Sequence, residues 1–176
     1  KNWSALAPLD EMNGLFTYEV NGKYGLADSL LRPLLPPDYD WIGLIDNSPL
    51  LRINKGKLFG VANKQGKIIL PCESPDKCVG VTTDQNRFVL ETPAYKCRLV
   101  NRQGKTILPP DHRYIYLNKG TAYVQTSNGF RFYNLKTESW YNQDMYEEIR
   151  MGRGDWFMVK KKGKLHTTLV YQIVFL

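Results

Sequence analysis

An all-β fold of about five tandem antiparallel units, each of three to four strands and roughly 35 residues, is the architecture this sequence predicts. Three features carry the prediction: a strand–turn–strand stretch that recurs along the chain, a short acidic element that recurs at a similar period, and apolar alternation ahead of each copy. Period-2 alternation broken by Asn-Gly, Lys-Gly-Lys and Gln-Gly-Lys reads as strands joined by tight turns.

The sharpest copy runs from Gly56 to Pro71 and contains Phe59-Gly60-Val61-Ala62-Asn63-Lys64-Gln65-Gly66-Lys67-Ile68-Ile69-Leu70-Pro71. It aligns with Cys97-Arg98-Leu99-Val100-Asn101-Arg102-Gln103-Gly104-Lys105-Thr106-Ile107-Leu108-Pro109 and with Tyr24-Gly25-Leu26-Ala27 ahead of Pro36. Weaker copies lie at Phe132-Tyr133 and His166-Thr167. Taking Gly25, Gly60, Arg98, Tyr133 and Thr167 as equivalent gives spacings of 35, 38, 35 and 34. The second element is Leu9-Asp10-Glu11-Met12, Tyr39-Asp40-Trp41-Ile42, Pro75-Asp76-Lys77-Cys78, His112-Arg113-Tyr114-Ile115 and Tyr146-Glu147-Glu148-Ile149. The alternating strands ahead of the copies include Phe16/Tyr18/Val20, Leu51/Ile53, Phe88/Leu90, Ala122/Val124 and Phe157/Val159. The chain from 1 to 176 is accordingly one repeat domain, with units near 14–42, 50–78, 87–115, 122–149 and 156–176 and with 9–12 completing the last. Complementary ends of this kind are expected if the array closes into a compact, propeller-like ring.

In the middle strand of a unit, residues beside the anchor (Phe59 and Val61, Cys97 and Leu99) share one face, and the anchor with its second neighbour (Gly60 and Ala62) shares the other. A strand apolar on both faces is covered on both sides, so successive sheets are expected to stack face to face.

These residues resemble the WG (KWG) repeat family of bacterial β-repeat proteins. Lys23-Tyr24-Gly25-Leu26 with Leu35-Pro36-Pro37-Asp38-Tyr39-Asp40 is similar to one such unit, and Phe59-Gly60-Val61 through Ile69-Leu70-Pro71 to another. The signature Trp is replaced by Tyr24, Phe59, Cys97, Phe132 or His166, and Gly is kept in two copies of five. The resemblance implies a non-enzymatic repeat module that offers an interaction surface, and it brings no catalytic residues.

Composition, with 12% aromatics and many Val, Ile and Gly, fits an all-β class. Net charge is +7, with Lys and Arg concentrated in turns, where they stay solvated and discourage edge pairing. Turn residues at equivalent positions, Arg32, Lys67 and Lys105, would line up as a basic row able to attract an acidic partner. Nothing resembles a nucleic-acid recognition element. No apolar run reaches the roughly 18 residues of a membrane-spanning helix. The chain starts at Lys1 without Met, which with its polar, aromatic-rich composition favours an exported or envelope protein over a cytoplasmic one. In an oxidising compartment Cys72 and Cys78 could pair as a disulfide. Cys78 and Cys97 occupy apolar repeat positions and otherwise read as core thiols.

Chemistry-bearing motifs are missing. His166 falls at the buried aromatic position and His112 at the Tyr of the acidic element, and neither sits at a metal-ligand spacing. No cofactor is expected. The carboxylate pairs Asp10/Glu11, Asp38/Asp40 and Glu147/Glu148 recur at one repeat position, where an acid orients a turn. The off-pattern aromatics Trp41 and Tyr114, at the variable position of the acidic element, and Trp156, heading the last unit, are the candidate ligand contacts; the competing reading is that they cover a neighbouring unit. The sequence therefore predicts a non-catalytic module that binds a peptide, protein or glycan through these aromatics, its rim loops or the basic row. An exported carbohydrate-active enzyme, or its accessory domain, is the alternative, and it would need two carboxylates facing each other across a cleft.

Overall fold

The computed structural model describes residues 3–46, 48–151 and 156–169. Among them are nineteen strands in five antiparallel meanders. The first sheet holds β1 (Ala5–Asp10), β2 (Leu15–Val20), β3 (Lys23–Ala27) and β4 (Pro33–Tyr39). The second holds β5 (Trp41–Leu44), β6 (Leu50–Lys55), β7 (Leu58–Asn63) and β8 (Ile68–Ser74). The third holds β9 (Lys77–Val81), β10 (Arg87–Glu91), β11 (Cys97–Asn101) and β12 (Thr106–His112). The fourth holds β13 (Tyr114–Asn118), β14 (Thr121–Thr126), β15 (Gly129–Asn134) and the short β16 (Ser139–Trp140). The last holds β17 (Glu148–Met151), β18 (Trp156–Lys161) and β19 (Lys164–Leu169). The all-β, propeller-like prediction holds.

The sheets are phased one strand away from the expected units. The acidic element ends one sheet and starts the next: Tyr39 is the last residue of β4 and Trp41 the first of β5, with only Asp40 between them. Residues 9–12 therefore do not complete the last unit. The strand that contains Leu9 and Asp10 pairs with β2 inside the first sheet, through Leu6↔Tyr18 and Asp10↔Leu15.

Local chemistry explains each turn. Asp28, Asn63 and Asn101 close the third-to-fourth-strand turns in the same way, each side-chain oxygen accepting the backbone N–H two and four residues on. Asx turns of this kind are why these residue types stand there. The acid of the short element does what its repeat position suggests. Asp40 accepts the Gly56 N–H at 2.6 Å and Glu147 the Gly163 N–H at 3.0 Å, so each fixes the second-to-third-strand turn of its own following sheet. Fourth strands carry Pro36-Pro37 and Pro109-Pro110, which an edge strand tolerates because it has a free side in the ladder.

Among the described residues four cores lie between the five sheets. Leu15, Leu26 and Leu35 meet Ile42, Leu51, Ile53 and Ala62; Leu50 and Val61 meet Cys78, Phe88, Leu90 and Val100. Val89, Cys97, Leu99 and Leu108 meet Ile115, Ala122, Val124 and Tyr133; and Phe132 meets Tyr146, Phe157 and Val159. Neighbouring residues of one strand serve two cores, as Val61 and Ala62 or Leu99 and Val100 do, which is the double coverage the sequence implied. Among the described residues no core joins the last sheet to the first, so the expected closure is not found.

Two further expectations are corrected. All three cysteines are free. Cys72 packs beside the first core and Cys78 belongs to the second, so the second sheet lies between the thiols and they are unpaired. Burial pushes the Cys78 thiol up to about 11, which makes it an inert core group. His166 is exposed, not buried. The β18–β19 hairpin pairs Lys160 with Leu165 as the β2–β3 hairpin pairs Glu19 with Tyr24, so Leu165 takes the aromatic position and His166 the glycine position.

His112, by contrast, is buried where Tyr39 stands in the first sheet, and Cys97 pairs with it as Tyr24 pairs with Tyr39. Burial holds its imidazole below the ordinary value of 6.5, against the opposing pull of the Asp111 carboxylate and with help from Lys96. The unfolded chain thus takes up the proton first as pH falls. The stability that neutral His112 confers is intact above about 6.5 and declines as pH drops through its lower folded-state value. Urea midpoints followed from pH 7.5 to 5 should fall in the wild type. His112→Tyr, the residue of the first sheet at this position, should flatten that part of the profile.

Candidate ligand-binding surface on the first strands

The first strand of each sheet is an edge strand, and in β5, β9 and β13 it presents large side chains to solvent. Trp41 is 44% exposed, Val79 41%, Tyr114 41% and Tyr116 42%. Trp41 and Tyr114 occupy the same position of their strands, as the repeat required, and β9 lies in contact with β13. The third candidate, Trp156, is equally exposed but heads β18, the second strand of the last sheet, and stands apart from them in the topology.

Trp41, Tyr114 and Tyr116 are each held from beneath or beside. The indole of Trp41 lies across Gly43, so closely that a Cβ at residue 43 would come within 2.1 Å of the ring. The Arg52 guanidinium stands 5.8 Å from its centroid, anchored by donating to the Cys78 carbonyl at 2.9 Å. Tyr114 sits under Arg113 at 5.5 Å and is tilted against Tyr116 at 5.8 Å. Tyr116 stacks on Tyr123 at 4.7 Å and 12°, and Tyr123 meets Phe157 edge-on at 6.0 Å. A ladder of rings therefore runs from the exposed edge of the fourth sheet into the last core. Rings pre-ordered in this way lose little entropy when a partner covers them.

Tyr116 was missed in the sequence because it lies outside the short element. The alternation of β13 would have found it, since residues two apart share a face. Position 43 explains why Trp41 lies flat: glycine leaves room for the ring.

The basic row is built only in part. Arg32, Lys67 and Lys105 do close equivalent turns, and all three are exposed. Arg32, however, is neutralised by Asp28 at 2.7 Å. Lys67 and Lys105 remain as the cations of the row at neighbouring sheets.

Four carboxylates are tied into the fold. Asp10 bonds Lys64 at 2.6 Å, Asp28 accepts the Arg32 N–H, Asp40 bonds Lys23 at 2.5 Å and Asp84 accepts from the Thr82 hydroxyl at 2.5 Å. Those contacts hold all four carboxyls below their ordinary range. Among the described residues no three His, Cys, Asp or Glu side chains group as a metal site, and no helix is long and apolar enough to cross a membrane.

Among solved structures, the chain is similar to Hsv2 of Kluyveromyces lactis (TM-score 0.46, 9% identity, covering 95% of this chain and 62% of that one). It is also similar to the C-terminal WD40 domain of Sif2 (0.48, 12%, 92% and 55%) and the β-propeller domain of Cps50 (Swd1) of Myceliophteria thermophila (0.43, 11%, 96% and 69%). The chain spans about three fifths of the length of the first structures it matches, between 58% and 63%. No curated protein matches it. The family model of the WG containing repeat matches residues 59–74, which are β7, its Asx turn and β8. The likeness to the WG containing repeat lies in this one strand–turn–strand of the second sheet.

Proposed function

We propose that this chain is a non-catalytic binding module that holds a protein partner on the first-strand surface. The observation that carries the reading is the anchored aromatic row: Tyr114 and Tyr116 half exposed on a ladder fixed at Phe157, with Trp41 at the equivalent position two sheets away. Aromatic side chains that are both exposed and rigid are the usual anchors of protein interfaces. Support for the non-catalytic part comes from Asp10, Asp28, Asp40 and Asp84, which are tied to cations, hydroxyls or backbone amides and held below the ordinary carboxylate range. A glycoside hydrolase needs at least one carboxyl held protonated as an acid.

The test is selection of peptides from a displayed library on the wild-type chain, followed by affinity measurement against Tyr114→Ser/Tyr116→Ser and against Gly43→Ala, which displaces the Trp41 ring without deleting it. Losing two aromatic anchors should weaken selected peptides by about 30-fold or more, with circular dichroism unchanged. Peptides that bind the double variant as tightly would refute the surface. Oligosaccharides bound in preference to any peptide, and released by the same variants, would assign the surface to glycans instead.

A further inference from the structure

The glycine position of the repeat holds an arginine in the third sheet, and a cavity of about 370 Å³ lies beside it, between the second and third sheets. Its apolar wall is Phe59, Val61, Leu70 and Leu90, and its polar end is Ser74, Asp76 and Arg98. Arg98 and Asp76 are 22% and 11% exposed, and their closest atoms, Nε and Oδ2, are 2.7 Å apart. That Nε nevertheless lacks an aligned acceptor. Among the described residues the one hydrogen bond the Arg98 side chain donates is a long one, from Nη2 to Ser74 Oγ at 3.4 Å. A guanidinium carries five N–H donors in a planar fork, so this one is largely buried, singly paired and poorly satisfied. Its geometry matches a second carboxylate.

We propose that this cavity is a second binding site, independent of the first-strand surface, for a small ligand with an apolar body and a terminal carboxylate. The body fills the space between Phe59, Val61, Leu70 and Leu90, while the carboxylate takes the open side of the Arg98 fork. Arg102, also in the lining, adds a second positive charge from the β11–β12 turn. Glu73 is the opposing acid; it is exposed and so keeps its own charge hydrated. The volume falls within the range of small-molecule sites. Asp76 is not a competitor for the ligand but the group that holds Arg98 in place when the site is empty.

Phenylbutyrate is the probe, with phenylbutanol and phenylbutylamine as neutral and cationic analogues of the same body. Methyl NMR on the whole chain should show saturable shifts at Val61, Leu70 and Leu90 with the acid. The alcohol and the amine should bind at least about tenfold more weakly. Arg98→Lys keeps the charge beside Asp76 and so keeps the fold, but loses the fork; it should weaken the acid about tenfold. Glu73→Gln should tighten it two- to threefold, as expected for removing a partly screened like charge. The assignment is overturned if the alcohol binds as well as the acid, if the amine binds best, if Arg98→Lys changes nothing, or if no shift saturates in the millimolar range. Peptide binding at Tyr114 and Tyr116 is read separately and does not depend on any of these outcomes.

Discussion

Phe132→Ala should cost about 3–5 kcal/mol, the usual loss for a fully buried phenylalanine, and should uncouple the last sheet before the rest of the chain unfolds. Phe132 is 1% exposed and meets Tyr146 and Phe157 edge-on at 5.6 and 5.1 Å. Among the described residues the core it centres has four buried members, against seven to nine in the other three. Removing its central ring takes away the edge-on contacts of both Tyr146 and Phe157. In a repeat array each sheet is stabilised by its neighbours, so a lost interface at one end need not propagate. Hydrogen exchange checks this: in the variant, amides of β18 should lose protection at denaturant concentrations where β10 and β11 still keep theirs. Phe88→Ala removes a ring of the same size from the second core, in the interior of the stack, and should instead lower protection throughout. If both variants unfold as a single transition, the stack is more cooperative than its separate cores suggest.

That uneven distribution of core was only partly legible in the sequence. The period, the turns and the two-faced strands could be read because they rest on local rules: alternation for strands, glycine and Asx chemistry for turns. The placement of Cys97 in a core and the role of Asp40 as a turn-fixing acid followed from repeat position alone, and the structure agrees on both. Phasing was less visible. Whether Trp41 ends one sheet or begins the next depends on strand pairing across a single connecting residue, and periodicity is the same in either case.

The last unit failed for a sharper reason. Gly22 precedes Tyr24 by two residues but Gly56 precedes Phe59 by three, so hairpin length varies between copies. Aligning the weak final copy by its spacing from the others placed His166 at the aromatic position, when its hairpin has the shorter form and puts Leu165 there. A one-residue slip exchanges the faces of a strand, and it turned an exposed histidine into an expected buried one. The cavity at Arg98 was legible in outline, since arginine broke the glycine pattern of Gly25 and Gly60. What could not be read was that Asp76 would meet it, because that contact depends on how the entry to β9 passes the start of β11.

Gly66→Ala and Gly104→Ala should differ widely although the two glycines occupy the same step of the same turn. Both have positive φ, 82° and 77°, where alanine is strained by roughly 1–2 kcal/mol. At Gly104 nothing lies within 4 Å of an added Cβ, so the backbone term stands alone, partly offset by the lower entropy of the unfolded alanine chain. At Gly66 the added Cβ would lie 2.1 Å from the Leu34 carbonyl oxygen and 2.7 Å from its carbon, both backbone atoms that cannot rotate away. The β7–β8 turn must then retreat from the first sheet. That retreat also pulls Lys64 from Asp10, a pair that joins the same two sheets at 2.6 Å. The expected loss is more than about 3 kcal/mol at Gly66 against about 1 kcal/mol at Gly104, combining backbone strain with a disrupted interface. Urea denaturation of the two variants measures the difference. Equal losses would mean that the turn does not rest on Leu34 and that the first two sheets are held by their shared core alone.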